Sequence, residues 1–221
     1  MVNNVEGIIY RVQPYQEHGR LLFVYSPIGK KTLLAQGAQK VNHPSRILSQ
    51  TLTRISFKEG NKSFLTLQEG KILDDYAHIK SDFQSMKMAS IPFEIIDHIV
   101  IDREDHAKIY DEVKEVLASN SIELSSLSFS LKILKRLGYG LNLKPDGRKI
   151  KGINIESGGL IYEDETEIID LDTKEALEVL KLYLKPYQEL EKMDDQTLNR
   201  MKQFISKYYQ YHLQTTLKNL Q

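Results

Sequence analysis

The stretch Thr51-Leu52-Thr53-Arg54-Ile55-Ser56-Phe57-Lys58 alternates without a break. Thr51, Thr53, Ile55 and Phe57 fall on one face, and Arg54, Ser56 and Lys58 on the other. A period of two is the mark of a half-buried β-strand, with one face in a core and one in water. Working outward, this run (about 50–58) is the fourth of five β-favouring runs in the first 80 residues. The others lie at about 5–13, 20–26, 30–36 and 62–68, separated by turn formers at 16–19, 27–29, 42–45 and 59–61. Simple alternation in the first run sets Ile8, Tyr10 and Val12 against Gly7 and Arg11. Five short strands in so little chain cannot cover both faces of an open sheet, so closure is the economical solution. The expectation is a five-stranded OB-like barrel over residues 1–80.

Beyond residue 80 the apolar period lengthens to 3.6, which gives an α+β fold whose second part, 81–221, is a helical domain. One helical face carries Ile109, Val113 and Val116, and a second carries Leu124, Leu127, Leu131 and Leu134. A third carries Leu177, Leu180, Leu184 and Tyr187. A last stripe runs through Leu198, Met201, Ile205, Tyr208 and His212, with Asp194 and Asp195 at the favourable end of that helix. Between the second and third faces, residues 138–172 are rich in glycine and contain short extended runs such as 159–163. They read as a small inserted module.

The chain has 221 residues and no cysteine, which removes disulfides, thiolate zinc sites and thiol catalysis together. With 41% hydrophobic and 27% charged residues it is globular in composition. No uninterrupted apolar run approaches the length of a membrane span and no leader pattern opens the sequence, so the expectation is a soluble, cytoplasmic protein with no membrane partner. Zero net charge conceals a division: residues 1–80 hold 11 Lys and Arg against 6 Asp and Glu, an excess of +5, and the remainder carries −5.

The basic residues of the first part are Arg11, Arg20, Lys30, Lys31, Lys40, Arg46, Arg54, Lys58 and Lys62, interleaved with Tyr10, Tyr15, Phe23, Tyr25, Phe57 and Phe64. Cations that release counterions from phosphates, with rings that stack on bases, are the means by which single strands are held. The same cations could equally solvate exposed strand faces, and most of the rings could be core. Phosphate contact is expected at Arg20, Lys30, Lys31, Lys40, Arg46 and Arg54, with base stacking at Tyr15 or Tyr25. A second basic block, 132–151, holds seven cations against Asp146; Lys132 and Arg136, four apart on one helix face, extend the expected track.

Residues 156–172 carry seven acids and no cation. They could hold a divalent metal, although no twelve-residue calcium loop can be traced, or they could pair with the neighbouring basic block. Signatures of a P-loop, of G-x-S-x-G, H-E-x-x-H and G-x-G-x-x-G are absent, and the six histidines have no ligand spacing. No enzymatic activity, cofactor or metal is expected. Two rival readings stay open: a protein-interaction scaffold, and a metal-dependent phosphodiesterase built on Glu163, Asp164, Glu167 and Asp170.

Particular residues add a likeness. Glu6-Gly7-Ile8-Ile9, Tyr15, Glu17, Arg20-Leu21-Leu22, Gly29-Lys30, Gln36-Gly37-Ala38, Ser45-Arg46 and Leu52 resemble the N-terminal barrel of the bacterial RecO family. Asp82-Phe83, Ala89-Ser90, Phe93-Glu94, Phe129 through Leu137-Gly138-Tyr139, Gly158-Gly159, Tyr211-His212-Leu213 and Leu217-Lys218 resemble its helical domain. The resemblance implies a recombinational DNA-repair mediator that binds single- and double-stranded DNA and anneals complementary strands. It also implies contact with RecR and the tail of the single-strand-binding protein, indirect help in loading RecA, and a place beside the nucleoid. Many relatives carry a four-cysteine zinc module in the helical domain. Here Tyr162 and Glu165 stand where its second cysteine pair would fall, so a metal-free loop held by packing is expected.

Overall fold

A computed structural model describes residues 4–58 and 64–221; the expected turn at 59–61, the first residues of the fifth run and Lys62 lie outside them. The chain forms β1 (Asn4–Tyr15), β2 (Gly19–Ser26), β3 (Gly29–Ala35), α1 (Ser45–Leu48), β4 (Thr53–Lys58), β5 (Phe64–Thr66), β6 (Lys71–Asp74) and α2 (Ala77–Lys80). There follow α3 (Phe83–His98), α4 (His106–Leu117), α5 (Ile122–Arg136), β7 (Ile150–Asn154), β8 (Gly159–Tyr162), β9 (Leu171–Asp172), α6 (Thr173–Leu184) and α7 (Asp195–Leu213). The fold is α+β. It divides into two compact units, Met1–Met86 with Ile101–Lys114, and Lys87–Val100 with Glu115–Gln221.

The first unit is a six-stranded sheet ordered β5-β3-β2-β1-β4-β6, antiparallel except for the parallel β3–β5 pair. The fourth run behaves as its alternation requires: Thr53, Ile55 and Phe57 are buried and Arg54, Ser56 and Lys58 are not. Ile9, Leu22, Val24, Leu33, Ala35, Ile55 and Phe57 line the inner face, joined by Val12. A sixth strand, β6, corrects the expected count of five. The ladders leave β5 and β6 as the two ends, with no pairing between them among the described residues.

Strand β1 departs from simple alternation. Ile9 faces Val24, but the next paired residue is Arg11, which faces Phe23; Tyr10 is an extra residue, a β-bulge. A bulge sets two residues against one and reverses the parity of everything after it. Ile9 and Val12 therefore both point inward, and Arg11, Gln13 and Tyr15 share the outward face with Ile8. The grouping of Tyr10 with Val12 is overturned by this one residue.

In the second unit, α5 is the central helix. Leu124, Leu127, Leu131 and Leu134 are buried, and so are Ser125, Ser126, Ser128 and Ser130 on its other sides. Serines are small enough to admit neighbouring backbone, and the hydroxyls of Ser125, Ser128 and Ser130 donate to carbonyls there, whereas the buried Ser126 hydroxyl has no partner among the described residues. Ser128 donates to the Leu182 carbonyl at 2.6 Å, and the Tyr209 hydroxyl donates to the Ser130 carbonyl at 2.7 Å. The stripe on α7 packs through Met201, Ile205 and Tyr208, and Asp194 caps that helix by accepting from the Thr197 amide. The third expected face holds only at Tyr187, which is buried, and in part at Leu180. Ala176, Val179 and Leu182 are the buried side of α6, whereas Leu177 and Leu184 are 54% and 66% exposed. The inserted module is a three-stranded antiparallel sheet, β8-β7-β9.

Candidate nucleic-acid interface

The bulge gathers an aromatic and cationic patch on the outward face of β1–β3. Tyr10 and Arg11 lie side by side opposite Phe23, with the Arg11 guanidinium carbon 3.9 Å above the Phe23 ring. The Tyr10 and Phe23 ring centres are 6.4 Å apart. Across the next ladder Phe23 faces Thr32 and Tyr25 faces Lys30, which sets Thr32 and Lys30 on the same face. Arg11 is exposed; Tyr10, Phe23, Lys30 and Thr32 are half-buried. Tyr15 ends the row, opposite Gly19. It lines a surface hollow of about 360 Å³ with His18, Leu34 and Gly37.

The expected phosphate-binding residues do not form one track. Lys30 and Lys31, adjacent in sequence, point to opposite faces, because Lys31 pairs with Val24 and shares the inner-face parity of Leu33. Arg20 has that same parity. Its guanidinium donates to the Ser49 carbonyl and hydroxyl, both at 3.3 Å, which ties β2 to the segment after α1. Lys40 and Arg46 are exposed on the 36–49 segment at that end of the sheet. Five residues of strand separate Arg20 from the level of Lys30, about 17 Å at the rise of an extended chain. Arg54 is held by Glu6 at 3.4 Å, and Glu6 is shared with Lys114 at 3.2 Å. Lys132 and Arg136 belong to the second unit. The Lys132 ammonium donates to the Lys185 carbonyl at 2.6 Å and lies 4.0 Å over the Tyr187 ring.

Tyr25 needs correction as a stacking residue. It is fully buried, its hydroxyl is 3.0 Å from His106 Nδ1, and its ring packs on Tyr110 at 6.3 Å. Such a ring offers no face to a base. Burial pushes its phenol well above the ordinary range. Burial also lowers His106, and the charge of Lys30 adds to this, while Asp102, Glu104 and Asp105 oppose it. Arg11 and Phe23 are the residues that sequence reasoning named without selecting; Phe23 takes its side from plain alternation in β2, and only the bulge in β1 brings Arg11 to that side.

The acidic stretch is engaged in its middle part. Arg148 is clamped by Asp146 at 2.8 Å, Asp164 at 3.2 Å and Glu165 at 2.8 Å, and Lys149 pairs with Glu163 at 2.6 Å. Asp170 accepts from the Ile155 amide at 2.7 Å. Among the described residues no group of three or more His, Cys, Asp or Glu is arranged to hold a metal, so the four carboxylates of the phosphodiesterase reading do not converge.

No family model matches the chain. Among curated proteins it is 31% identical over 163 residues to the DNA repair protein RecO of Clostridium acetobutylicum, covering 68% of this chain and 64% of that protein. It is 33% identical over 144 residues to the DNA repair protein RecO of Clostridium perfringens, covering 61% and 58%. With the DNA repair protein RecO of Oceanobacillus iheyensis it shares 24% over 174 residues, covering 74% and 67%. The chain belongs to the RecO family. The matched stretch spans less than two thirds of the first two relatives' own length. In this RecO-family chain the pair Tyr162 and Glu165 is part of a charged clamp. Arg148 stacks 3.9 Å over the Tyr162 ring while bonding Glu165, and the Glu165 carboxylate accepts from the Tyr162 amide at 2.9 Å. The expected packing-held loop does have a packed core, with Leu141, Ile153, Ile161 and Leu171 buried, and the charged clamp around Tyr162 lies at its more exposed rim.

Proposed function

We propose that this RecO-family chain is a non-enzymatic DNA-binding mediator of recombinational repair. Residues 1–80 act as a curled, OB-like nucleic-acid surface, and residues 81–221 form a packing and partner-binding domain. Single strands lie along the outward face of β1–β3, where bases stack on Phe23, Tyr10 and Tyr15 and phosphates meet Arg11 and Lys30; Lys40 and Arg46 extend the contact at the far end. Stacking plus counterion release needs no base-specific readout, which suits a protein that must accept any sequence. Neutralising two backbones on one surface lowers their repulsion and raises the effective concentration of complementary strands, so annealing follows without covalent chemistry. Duplex DNA binds through the same cations with less help from the rings. RecR and the single-strand-binding protein are the proposed protein partners, recombinase loading is the proposed outcome, and a cytoplasmic, nucleoid-associated site of action follows.

The observation that carries this reading is the bulge at Tyr10, which turns Arg11 and Tyr15 to the face that carries Phe23 and Lys30. The test is an anisotropy titration of labelled single-stranded and duplex oligonucleotides, followed by annealing of complementary strands. Tighter binding of the single strand and annealing that fails in Phe23→Ala are expected. No binding to bare oligonucleotide, with binding to a protein tail retained, returns the function to an interaction scaffold.

A further inference from the structure

On the second unit, an open hollow of about 700 Å³ lies between the β7–β8 turn, the segment before β9 and the C-terminal half of α7. Ile155 lines it; Ile168, 80% exposed, and Tyr211, 54% exposed, stand at its mouth. An isoleucine and a tyrosine left this far in water beside a concave apolar wall are the usual sign of a surface that is covered part of the time. The walls are pinned from beneath. The Asn154 amide donates to the Ile168 carbonyl at 2.9 Å, Asp170 holds the Ile155 amide, and His212 Nε2 lies 2.7 Å from the Ile155 carbonyl. The hollow is therefore preformed, and an occupant spends little free energy on ordering it.

Charge selects the occupant. Glu156, Glu167 and Asp170 stand around the hollow against one cation, Lys207. Phosphates and acidic peptides meet net repulsion there, whereas a lysine or arginine flanking an apolar side chain meets carboxylates while that side chain covers Ile168 and Tyr211. We propose that this hollow is a docking site for a cationic segment of a partner protein, with apolar residues set between its basic ones. It belongs to the second unit and is opposite in charge to the nucleic-acid face proposed for the first.

The probe is a fluorescein-labelled lysine-rich peptide carrying two leucines, compared by anisotropy with the same peptide having glutamate in place of lysine. The full chain is used at low and moderate salt. Saturable binding of the lysine peptide that weakens with salt is expected, with the glutamate peptide at least about tenfold weaker. Ile168→Ser and Tyr211→Ala, both at exposed positions, should each weaken the lysine peptide about tenfold, and Glu167→Lys should reduce the discrimination between the two peptides. Equal affinity for both peptides, preference for the glutamate peptide, absence of saturable binding, or affinity unchanged in both Ile168→Ser and Tyr211→Ala would overturn the proposal.

Discussion

Tyr25 carries a ring that the first unit needs as core and a hydroxyl that burial obliges it to satisfy. His106 Nδ1 meets that obligation. Removing one member of a buried hydrogen bond leaves the other desolvated and unpaired, a cost of about 1–3 kcal/mol. Tyr25→Phe should lower the unfolding free energy by about that much in a urea melt and leave oligonucleotide affinity unchanged, because the ring does not face the strand. Unchanged stability with weakened DNA binding would return Tyr25 to the interface. The imidazole makes a second prediction. Burial lowers the folded-state pKa of His106 below 6.5, so the unfolded chain takes up the proton first as pH falls. This contribution to stability is complete above about pH 6.5 and is lost as pH falls toward the folded-state value. Urea midpoints should therefore drop between about pH 7.5 and 5.5 in the natural chain, with a smaller drop in His106→Gln. Aromatic and basic residue types were legible here, but not their direction, since a tyrosine among cations reads alike whether it faces a helix or a base.

At the scale of elements, legibility tracks whether one face of the element is buried. Strand β4 and helix α7 follow their apolar period because one side of each packs, and α5 shows its leucine period although it is buried all round, because small serines fill its other sides. Helix α6 misleads because its leucines at 177 and 184 face out, while smaller Ala176 and Val179 face in. Strand β6 escapes notice because Lys71, Ile72 and Leu73 are all exposed on a sheet edge and leave no alternation to read. The bulge in β1 has no compositional mark, yet it decides which side chains share the proposed DNA-binding face. Close approach has its own consequence at Gly152, where β7 meets β9. A Cβ there would lie 2.1 Å from the Leu171 carbonyl oxygen. Gly152→Ala should force the strands apart at about 1–3 kcal/mol, seen as a lower melting temperature and faster proteolytic cleavage within 143–170. An unchanged melt would mean that the β7–β9 pairing contributes little.

Taken as a molecule, the chain concentrates positive charge in residues 1–80, at +5 against −5 for the remainder, but the first unit, which also takes in 81–86 and 101–114, carries only +2 and the second −2. The proposed division of labour therefore rests on local patches: cations on the outward face of β1–β3 for phosphate, and an acidic, apolar hollow on the second unit for protein. Fold class, the helical core and the inserted module were readable from periodicity. The continuity of the basic surface was not, because a strand sends neighbouring residues to opposite faces and ion pairs engage others, as with Lys30 and Lys31 or Arg54. The account rests on the outward face of β1–β3 being where DNA binds. The decisive measurement is the slope of log affinity against log salt for a single-stranded oligonucleotide, compared between the natural chain, Arg11→Ala with Lys30→Ala, and Lys31→Ala with Lys132→Ala. Each phosphate contact on a single strand contributes about −0.7 to that slope. The first pair should flatten it by about 1.4 and the second should leave it unchanged. Equal flattening by both pairs, or none by the first, would contradict the assignment.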